Sequence, residues 1–239
     1  MSTPVTIVIR EIETLAEMRE VERLQKEIWG VEDLEIYPAL ALKPQKEVGA
    51  ILIGAFAEGR MVGFVFGFPG ILNGETIIHS DMLGIVMEYR SHNLGFLLKR
   101  AQREEALKLG VKRITWTFDP LQSRNAHLNF AKLGVISDRY YVDYYGVTSS
   151  FLHRFGTDRL WVTWLLESER VASRIQAATA PRVVHDDDII IEIPAEITAN
   201  HEYWRATTRE AFTRAFDAGY IAEEFYVSEN VGRYVLRKK

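Results

Sequence analysis

The stretch that decides the fold is IIHSDMLGIVMEYRSHNLGFLLKRAQREEALKL, which occupies residues 77–109. It begins with a mostly apolar run that is interrupted by His79, Ser80 and Asp81, and this pattern predicts a buried β-strand. A short polar turn, EYRSHNLG, follows, and apolar residues then recur at the spacing of an α-helix. Lys99 lies off the apolar face of that helix by this spacing. The predicted apolar face consists of Leu94, Leu97, Leu98 and Ala101.

The turn between this strand and this helix has the chemistry of an anion-binding site. The first backbone N–H groups of a helix have no partner within the helix, and the helix dipole favours a negative charge beside them. Arg90 adds a cation next to those groups, and Asn93 is of a residue type that tolerates a positive φ. An ordinary helix start near an unrelated arginine is the alternative that the turn alone leaves open.

The composition is that of a soluble globular protein, with 47% hydrophobic and 26% charged residues among 239. A net charge of −4 gives no general attraction for nucleic acid or for an anionic membrane. The absence of cysteine excludes disulfides, a cysteine nucleophile and thiolate metal sites. The first residues lack the pattern of a signal peptide, and no apolar run reaches the length of about 18 residues that a membrane span needs. We therefore expect a cytoplasmic protein with neither a nucleic-acid nor a membrane partner.

The rest of the chain supplies further strands and helices in a definite order. A strand is predicted at residues 5–12, and a helix follows it from Thr14 to a C-cap at Gly30. Residues 31–49 contain two prolines and predict a broken helix or a loop. The later elements are a hairpin of residues 50–57 and 61–68 with a turn at Pro69 and Gly70, a strand at 113–118, a helix at 125–133, and strands at 135–145 and 160–166.

This order and three sequence motifs resemble the GNAT (Gcn5-related) N-acetyltransferase superfamily over roughly residues 5–167. Residues 90–95, RSHNLG, resemble its pyrophosphate loop, R/Q-x-x-G-x-G/A, with Asn93 in the place of the first glycine. Residues 83–90, LGIVMEYR, resemble a strand ending V-x-P-E-Y-R, with Met87 in the place of the proline. Residues 125–135, NAHLNFAKLGV, resemble the family's fourth helix, with Phe130 in the place of a tyrosine.

The resemblance implies an α/β (α+β) fold with a mixed, mostly antiparallel central sheet flanked by helices. It places a GNAT-like acyl-CoA-binding domain at residues 1–168 and leaves residues 169–239 as a C-terminal β-α-β-β extension. An extension of this size is too small to be trusted as an independent fold, so we expect it to pack on the first domain. It would either extend the sheet or cover the acceptor cleft.

The resemblance also implies an acyltransferase that moves an acetyl or other acyl group from coenzyme A to a primary amine of a small molecule or peptide, by direct attack. Acetyl-CoA would be a co-substrate, and no metal is expected. The run HDDD at residues 185–188 fits a solvated acidic turn better than a metal site. A homodimer is compatible with this interpretation. The residues expected to bind the coenzyme are Ile85, Met87, Arg90, Ser91, His92, Asn93, Leu94, Gly95, Phe96 and Asn125.

Three residues are candidates for catalysis. His79 and Asp81 are two residues apart in a strand, so alternation predicts that they share a face, and either could deprotonate the amine. Structural hydrogen bonding is an equally good interpretation of both. Tyr144 is a candidate proton donor to the leaving thiolate, because Phe130 has no hydroxyl.

Two alternatives stay open on the sequence alone. One concerns function: a GNAT-fold protein could bind acyl-CoA as a sensor or scaffold without turnover, and the acceptor is not encoded in any motif. The other concerns Asn125, which either reaches the coenzyme arm or, like Ser123, serves as the N-cap of its helix.

Overall fold

The computed structural model describes residues 6–90, 92–148, 150–177 and 184–239. The chain divides into two compact units, the first comprising Met1–Ile114 and Ser150–Leu152, the second Thr115–Ser149 and His153–Lys239. The domain boundary expected after residue 168 lies inside the second unit. In the described part of the chain, no helix is both long and apolar enough to cross a membrane.

In the described residues of the first unit, strands lie in the spatial order β1-β2-β3-β4, each antiparallel to its neighbour. The predicted hairpin is confirmed, but the turn predicted at Pro69 and Gly70 is wrong, because β3 continues through both residues. The chain reverses at Asn73 and Gly74 instead, which supply the positive φ angles, 52° and 79°, that a tight turn needs. The strands are β1 (Ile7–Glu11), β2 (Ile51–Ala57), β3 (Arg60–Leu72) and β4 (Glu75–Ile85).

Helix α1 (Leu15–Trp29) has both predicted ends. Thr14 and Glu17 form a capping box, in which the Thr14 hydroxyl accepts from the Glu17 N–H and the Glu17 carboxylate accepts from the Thr14 N–H. Gly30 ends the helix in the left-handed conformation, with φ 65°. The segment that follows is a 3-10 turn (Asp33–Glu35) and the short helix α2 (Ala39–Glu47).

Helix α3 (Leu94–Lys108) packs against β2, β3 and β4, and α1 packs against β3 and β4. Side chains alternate along β3, so the two helices meet different faces of the sheet. Phe64 contacts Trp29 of α1 at 5.8 Å between ring centroids, whereas Gly67 faces Gln102 of α3. The sheet of this unit is therefore covered by a helix on each side.

The second unit has strands in the order β5-β7-β6-β9-β10-β8, with β5 entering it at Thr115. Ser137 of β6 pairs with Ala222 of β9, so the three C-terminal strands extend the sheet of this unit. The expected mixed, mostly antiparallel sheet with flanking helices is thus confirmed. The strands are β5 (Arg113–Phe118), β6 (Ile136–Tyr141), β7 (Arg159–Leu165), β8 (Ile189–Pro194), β9 (Tyr220–Ser228) and β10 (Val231–Lys238).

The helices described in the second unit lie before and after β6 and β7. Helix α4 (Ser123–Ala126) continues as a π-helical segment (His127–Leu133) and ends at Gly134, with φ 73°. Its N-cap is Gln122, so the expectation that Ser123 or Asn125 caps it is wrong; both residues already have helical positions. The other helices are α5 (Glu169–Ala177) and α6 (His201–Asp217).

The C-terminal elements share the core of the second unit. Tyr234 of β10 is fully buried, and its ring contacts Phe130, Phe212 and Phe225 at centroid distances of 5.6, 5.0 and 4.7 Å. Each of these rings removes a large apolar area from water. Residues on both sides of position 168 therefore contribute to one aromatic cluster.

Candidate active site

The turn between β4 and α3 has the backbone geometry that the sequence predicts for an anion site. Asn93 is left-handed, with φ 58° and ψ 18°, and α3 begins at the next residue, Leu94. A 3-10 turn (Met87–Tyr89) precedes it, and the His92 N–H bonds to the Tyr89 carbonyl at 3.2 Å. The described residues of this segment thus lead from the 3-10 turn to the N–H groups at the start of a 15-residue helix. Ser91, also expected to bind the coenzyme, lies outside the described residues.

Arg90 and His92 are two polar side chains of the described part of this loop, which also contains the exposed Glu88. Both are exposed, and the Nε of Arg90 donates to the Ile85 carbonyl at 3.2 Å, which ties the arginine to the end of β4. The His92 ring lies 5.6 Å from the Tyr89 ring. A loop that carries an exposed cation and leads into helical N–H groups is suited to a phosphate ligand.

The other predicted coenzyme residues of the loop differ in what they can offer a ligand. Leu94 and Phe96 have buried side chains, so only their backbone N–H groups are candidates for binding. Gly95 adds a further backbone N–H between them. Met87 is 75% exposed, and Ile85 is partly exposed at the end of β4.

His79 and Asp81 lie on either side of Ser80 in β4, but a β-bulge separates them. Ser80 pairs with Gly67 and Met82 pairs with Phe66, so Asp81 has no opposite residue on β3. The bulge interrupts the alternation of side chains, and a shared face for His79 and Asp81 no longer follows from their spacing.

The environments of these two groups shift their acidities in opposite directions. Burial, with a smaller effect of the Lys99 charge, lowers the pKa of His79 below its usual value, so the imidazole is neutral at neutral pH. Its ring lies 5.6 Å from that of Phe68. Partial burial raises the pKa of Asp81, although part of the residue remains exposed to solvent. Both shifts favour the uncharged form.

Lys99 was predicted to lie off the apolar face of α3, and this prediction is wrong. The side chain is 2% exposed, and its Nζ donates to Ser80 Oγ at 2.9 Å and to Gln102 Oε1 at 2.7 Å. Burial lowers the pKa of Lys99 well below its usual value. The periodicity of the helix gives no sign of this cluster, because the partner Ser80 lies on another element.

The remaining predicted site residues, Tyr144 and Asn125, belong to the second unit. Tyr144 lies beyond the end of β6, in a turn where Asp143 has φ 46°, so the strand predicted to reach residue 145 is too long. The Tyr144 ring lies 5.2 Å from Tyr141 and 4.9 Å from Tyr145. Asn125 is exposed on α4.

Two further predicted features can be placed. Phe130 is fully buried and contacts Phe118 at 6.3 Å, so it forms part of the core of the second unit. Asp188 of the acidic run pairs with Arg237 at 3.2 Å. Among the residues described by the structure, no group of three His, Asp or Glu side chains is arranged to hold a metal ion.

Comparisons with known proteins identify the fold. No family model matches the sequence, and no curated protein matches it. Solved structures do match: the ribosomal-protein-S18-alanine N-acetyltransferase from Escherichia coli has a TM-score of 0.53 at 13% identity, with 68% of this chain and 96% of that chain covered. An acetyltransferase of the GNAT family from Streptococcus pneumoniae has a TM-score of 0.52 at 18% identity, with 66% and 98% covered.

A third similar structure is Naa50 from Arabidopsis thaliana, in complex with the bisubstrate analogue CoA-Ac-MVNAL. Its TM-score is 0.52 at 14% identity, with 66% of this chain and 98% of that chain covered. The expected GNAT fold is therefore confirmed. Identities this low show a shared fold and leave activity to be argued from the residues.

Proposed function

Because the chain has the fold of the GNAT acetyltransferases, we propose that it transfers an acetyl or other acyl group from coenzyme A to a primary amine. The observation that carries this proposal is the loop between β4 and α3. There a left-handed Asn93 leads into the first N–H groups of α3, and the exposed Arg90 belongs to the same loop. Helical N–H groups and a guanidinium together suit the pyrophosphate of coenzyme A.

We assign the parts of the coenzyme to this loop as follows. The backbone N–H groups of Leu94, Gly95 and Phe96 bind the pyrophosphate, because the side chains of Leu94 and Phe96 are committed to the core. His92 and Arg90 offer additional donors from the exposed side of the loop. Backbone groups of Ile85 and Met87 pair with the pantetheine arm, and Asn125 is a further candidate for contact with it.

The chemistry requires little beyond correct placement of the two substrates. A neutral amine attacks the thioester carbonyl directly, and coenzyme A leaves as a thiolate. His79 and Asp81 are our candidates for removing a proton from the ammonium form of the acceptor, and the lowered pKa of His79 keeps its imidazole neutral and able to accept one. The departing thiolate is the conjugate base of a thiol with a pKa of about 8.5, so water or Tyr144 can protonate it.

The acceptor that we propose is a primary amine of a small molecule or peptide. The names of the similar structures support this class. The E. coli protein is named for an alanine of a ribosomal protein, and the Arabidopsis complex contains an analogue that joins coenzyme A to the sequence MVNAL. Comparison by fold does not extend to the individual acceptor.

Binding of acetyl-CoA is the first test. A ligand that binds only the folded state stabilises it by about 2.7 kcal/mol at one hundred times its Kd, so acetyl-CoA should raise Tm. Arg90→Ala removes the loop cation, and Gly95→Asp places a carboxylate beside the phosphates, so both should reduce the shift. Arg100→Ala is the matched control, since Arg100 is an exposed arginine of α3 that pairs with Glu104 at 3.7 Å.

Turnover is the second test. A panel of amines, from small amines to short peptides, is incubated with acetyl-CoA while the release of free thiol is followed. Thiol release that depends on one class of amine supports the proposal. Tight binding of acetyl-CoA with no turnover on any amine would contradict acyl transfer, and the absence of any binding would show that the coenzyme site is wrongly assigned.

A further inference from the structure

A buried polar cluster joins α3 to β4. Lys99 on α3 donates from Nζ to Ser80 Oγ on β4 at 2.9 Å and to Gln102 Oε1 at 2.7 Å, and Ser80 Oγ donates to Gln102 Oε1 at 2.9 Å. All three side chains are at least nine-tenths buried. The helix and the strand are therefore connected by directional bonds as well as by apolar contact.

The strand next to β4 is adapted to this cluster. Ser80 pairs with Gly67 of β3, and a Cβ atom at Gly67 would lie 2.8 Å from Gln102 Nε2. Only a residue without a side chain leaves room for the amide at that point. The pairing of Ser80 with Gly67 is also the last before the bulge at Asp81. The cluster thus contacts both strands at the position where their register changes.

The cluster is costly for stability alone. A lysine in the interior loses its hydration, and this loss lowers the pKa of Lys99 well below its usual value. An apolar side chain of similar volume would fill the same space with little or no such cost. Apolar contacts, however, are non-directional and allow a helix to slide along a sheet, whereas hydrogen bonds depend on distance and angle.

The cluster lies on the two elements that flank the phosphate loop. Ser80 lies five residues before Ile85, the end of β4, and Lys99 lies five residues after Leu94, the start of α3. The loop between them is residues 86–93. An axial shift of α3 along β4 would change the distance that this loop has to span and would move the helical N–H groups relative to the end of β4, where Arg90 is bound.

We propose that Lys99, Ser80 and Gln102 fix the axial position of α3 on β4 and so set the geometry of the phosphate loop. They are positioning residues, and the inference rests on the proposed binding of coenzyme A by that loop. This role would explain why a lysine is buried here. The cluster lowers the stability of the protein but fixes the geometry of the binding loop.

The test compares coenzyme A affinity with stability in the same variants. Lys99→Met should raise the Kd of coenzyme A about fivefold, a size typical of residues that influence binding without contacting the ligand. Its Tm should be unchanged or higher, because the buried ammonium is removed while the bond from Ser80 to Gln102 remains. The double variant Lys99→Met, Ser80→Ala should have a Kd no higher than that of whichever single variant binds coenzyme A more weakly. The two residues act in one cluster, so their effects should not add.

Lys108→Met is the matched control, because Lys108 lies at the end of the same helix, is exposed and pairs with Glu105 at 2.7 Å. Its Kd should equal that of the wild type. If Lys99→Met does not fold, Lys99→Gln provides a variant without charge that keeps hydrogen-bonding groups.

The outcomes separate this inference from the proposed function. A wild-type protein that does not bind coenzyme A would overturn the proposed function, and this inference with it. A wild type that binds, with a folded Lys99 variant of unchanged Kd, would overturn the inference alone. A variant that loses stability in parallel with affinity would show a merely structural lysine and would also overturn it.

Discussion

Arg205 of α6 forms a bidentate ion pair with Asp119, the residue that follows β5. Nη1 lies 2.7 Å from Oδ1 and Nη2 lies 2.8 Å from Oδ2, and the arginine also donates to the Phe155 carbonyl. Gly156 follows Phe155 and has a φ of 101°, a conformation that residues with side chains rarely adopt. The next residue after Asp119, Pro120, accepts a hydrogen bond from Tyr234 at 2.6 Å. The C-terminal elements thus hold the loop that leads from β5 into α4.

Arg205→Met should lower the free energy of unfolding by about 3 kcal/mol, because it leaves a largely buried carboxylate without its charge partner. Urea denaturation would measure the loss. Arg214→Met, on the same helix, is the control; Arg214 is exposed and lies 3.8 Å from Glu210, so its removal should change stability by less than about 0.5 kcal/mol. Equal midpoints for the two variants would contradict a stabilising role for the Arg205 pair.

Removal of residues 169–239 should leave a fragment that does not melt cooperatively. The truncation strips β9 from β6 and exposes Phe130, whose ring packs against Tyr234. It also removes Arg205, the partner of Asp119. Calorimetry on the 1–168 fragment and on the full chain would make the comparison. A soluble fragment with a sharp transition would show that the extension is a separate module.

Asn93→Gly should retain both stability and coenzyme affinity, because glycine adopts the left-handed conformation observed at this position without strain. Asn93→Val should cost about 1–2 kcal/mol, since a β-branched side chain strongly disfavours φ near 58°. It should also raise the Kd for acetyl-CoA by distorting the loop. Thermal melts and calorimetric titrations of both variants would measure these effects. If the valine variant binds as tightly as the wild type, the loop geometry does not govern affinity.

The pH dependence of turnover should identify the base. With His79 as the base, kcat/KM should rise with pH through a pKa below 6.5 and then stay level, because burial and the Lys99 charge disfavour the imidazolium. His79→Ala should lower kcat/KM and abolish its rise with pH. Asp81→Asn should lower kcat/KM if the carboxylate relays the proton. Rates on the first amine that gives turnover would be followed from pH 5 to 9. Unchanged profiles in both variants would leave deprotonation to solvent.

Asp81 should also affect stability as a function of pH. Its folded-state pKa is raised, so the folded state holds the proton more strongly than the unfolded state and the ionised carboxylate disfavours folding. The destabilisation is present above the raised pKa and disappears as the pH falls through the unfolded value near 3.9. Asp81→Asn should therefore be more stable than the wild type at pH 7, and the difference should shrink towards pH 4. A difference that is constant with pH would rule out this explanation.

Local features were predictable because their causes lie within a few residues of sequence. The capping box at Thr14 and the left-handed Gly30 follow from side chains and backbone freedom at the helix ends themselves. Asn93 has the positive φ that its residue type allows. The strand and helix of residues 77–109 follow from hydrophobic spacing, which reflects which face of each element is buried.

Pro69 and Gly70 show the limit of such local reasoning. Both residues are common in turns, yet they continue β3, because their pairing with Ile78 and Ile77 of β4 extends the hairpin to Asn73 and Gly74. The bulge at Asp81 likewise has no sequence signal of its own. It results from the register between two strands, which the alternation of one strand cannot encode.

The sequence by itself determined both ends of α1 and the positive φ of Asn93, because these depend on neighbouring residues. Only the tertiary structure decided that Lys99 is buried, since Ser80, its partner, is 19 residues away on β4. The same holds for Arg205 and Asp119, which are separated by 86 residues. From sequence alone, a charged side chain is predicted to lie at the surface. It can be buried only where folding brings together partners that offset its loss of hydration, and those partners are distant in the sequence.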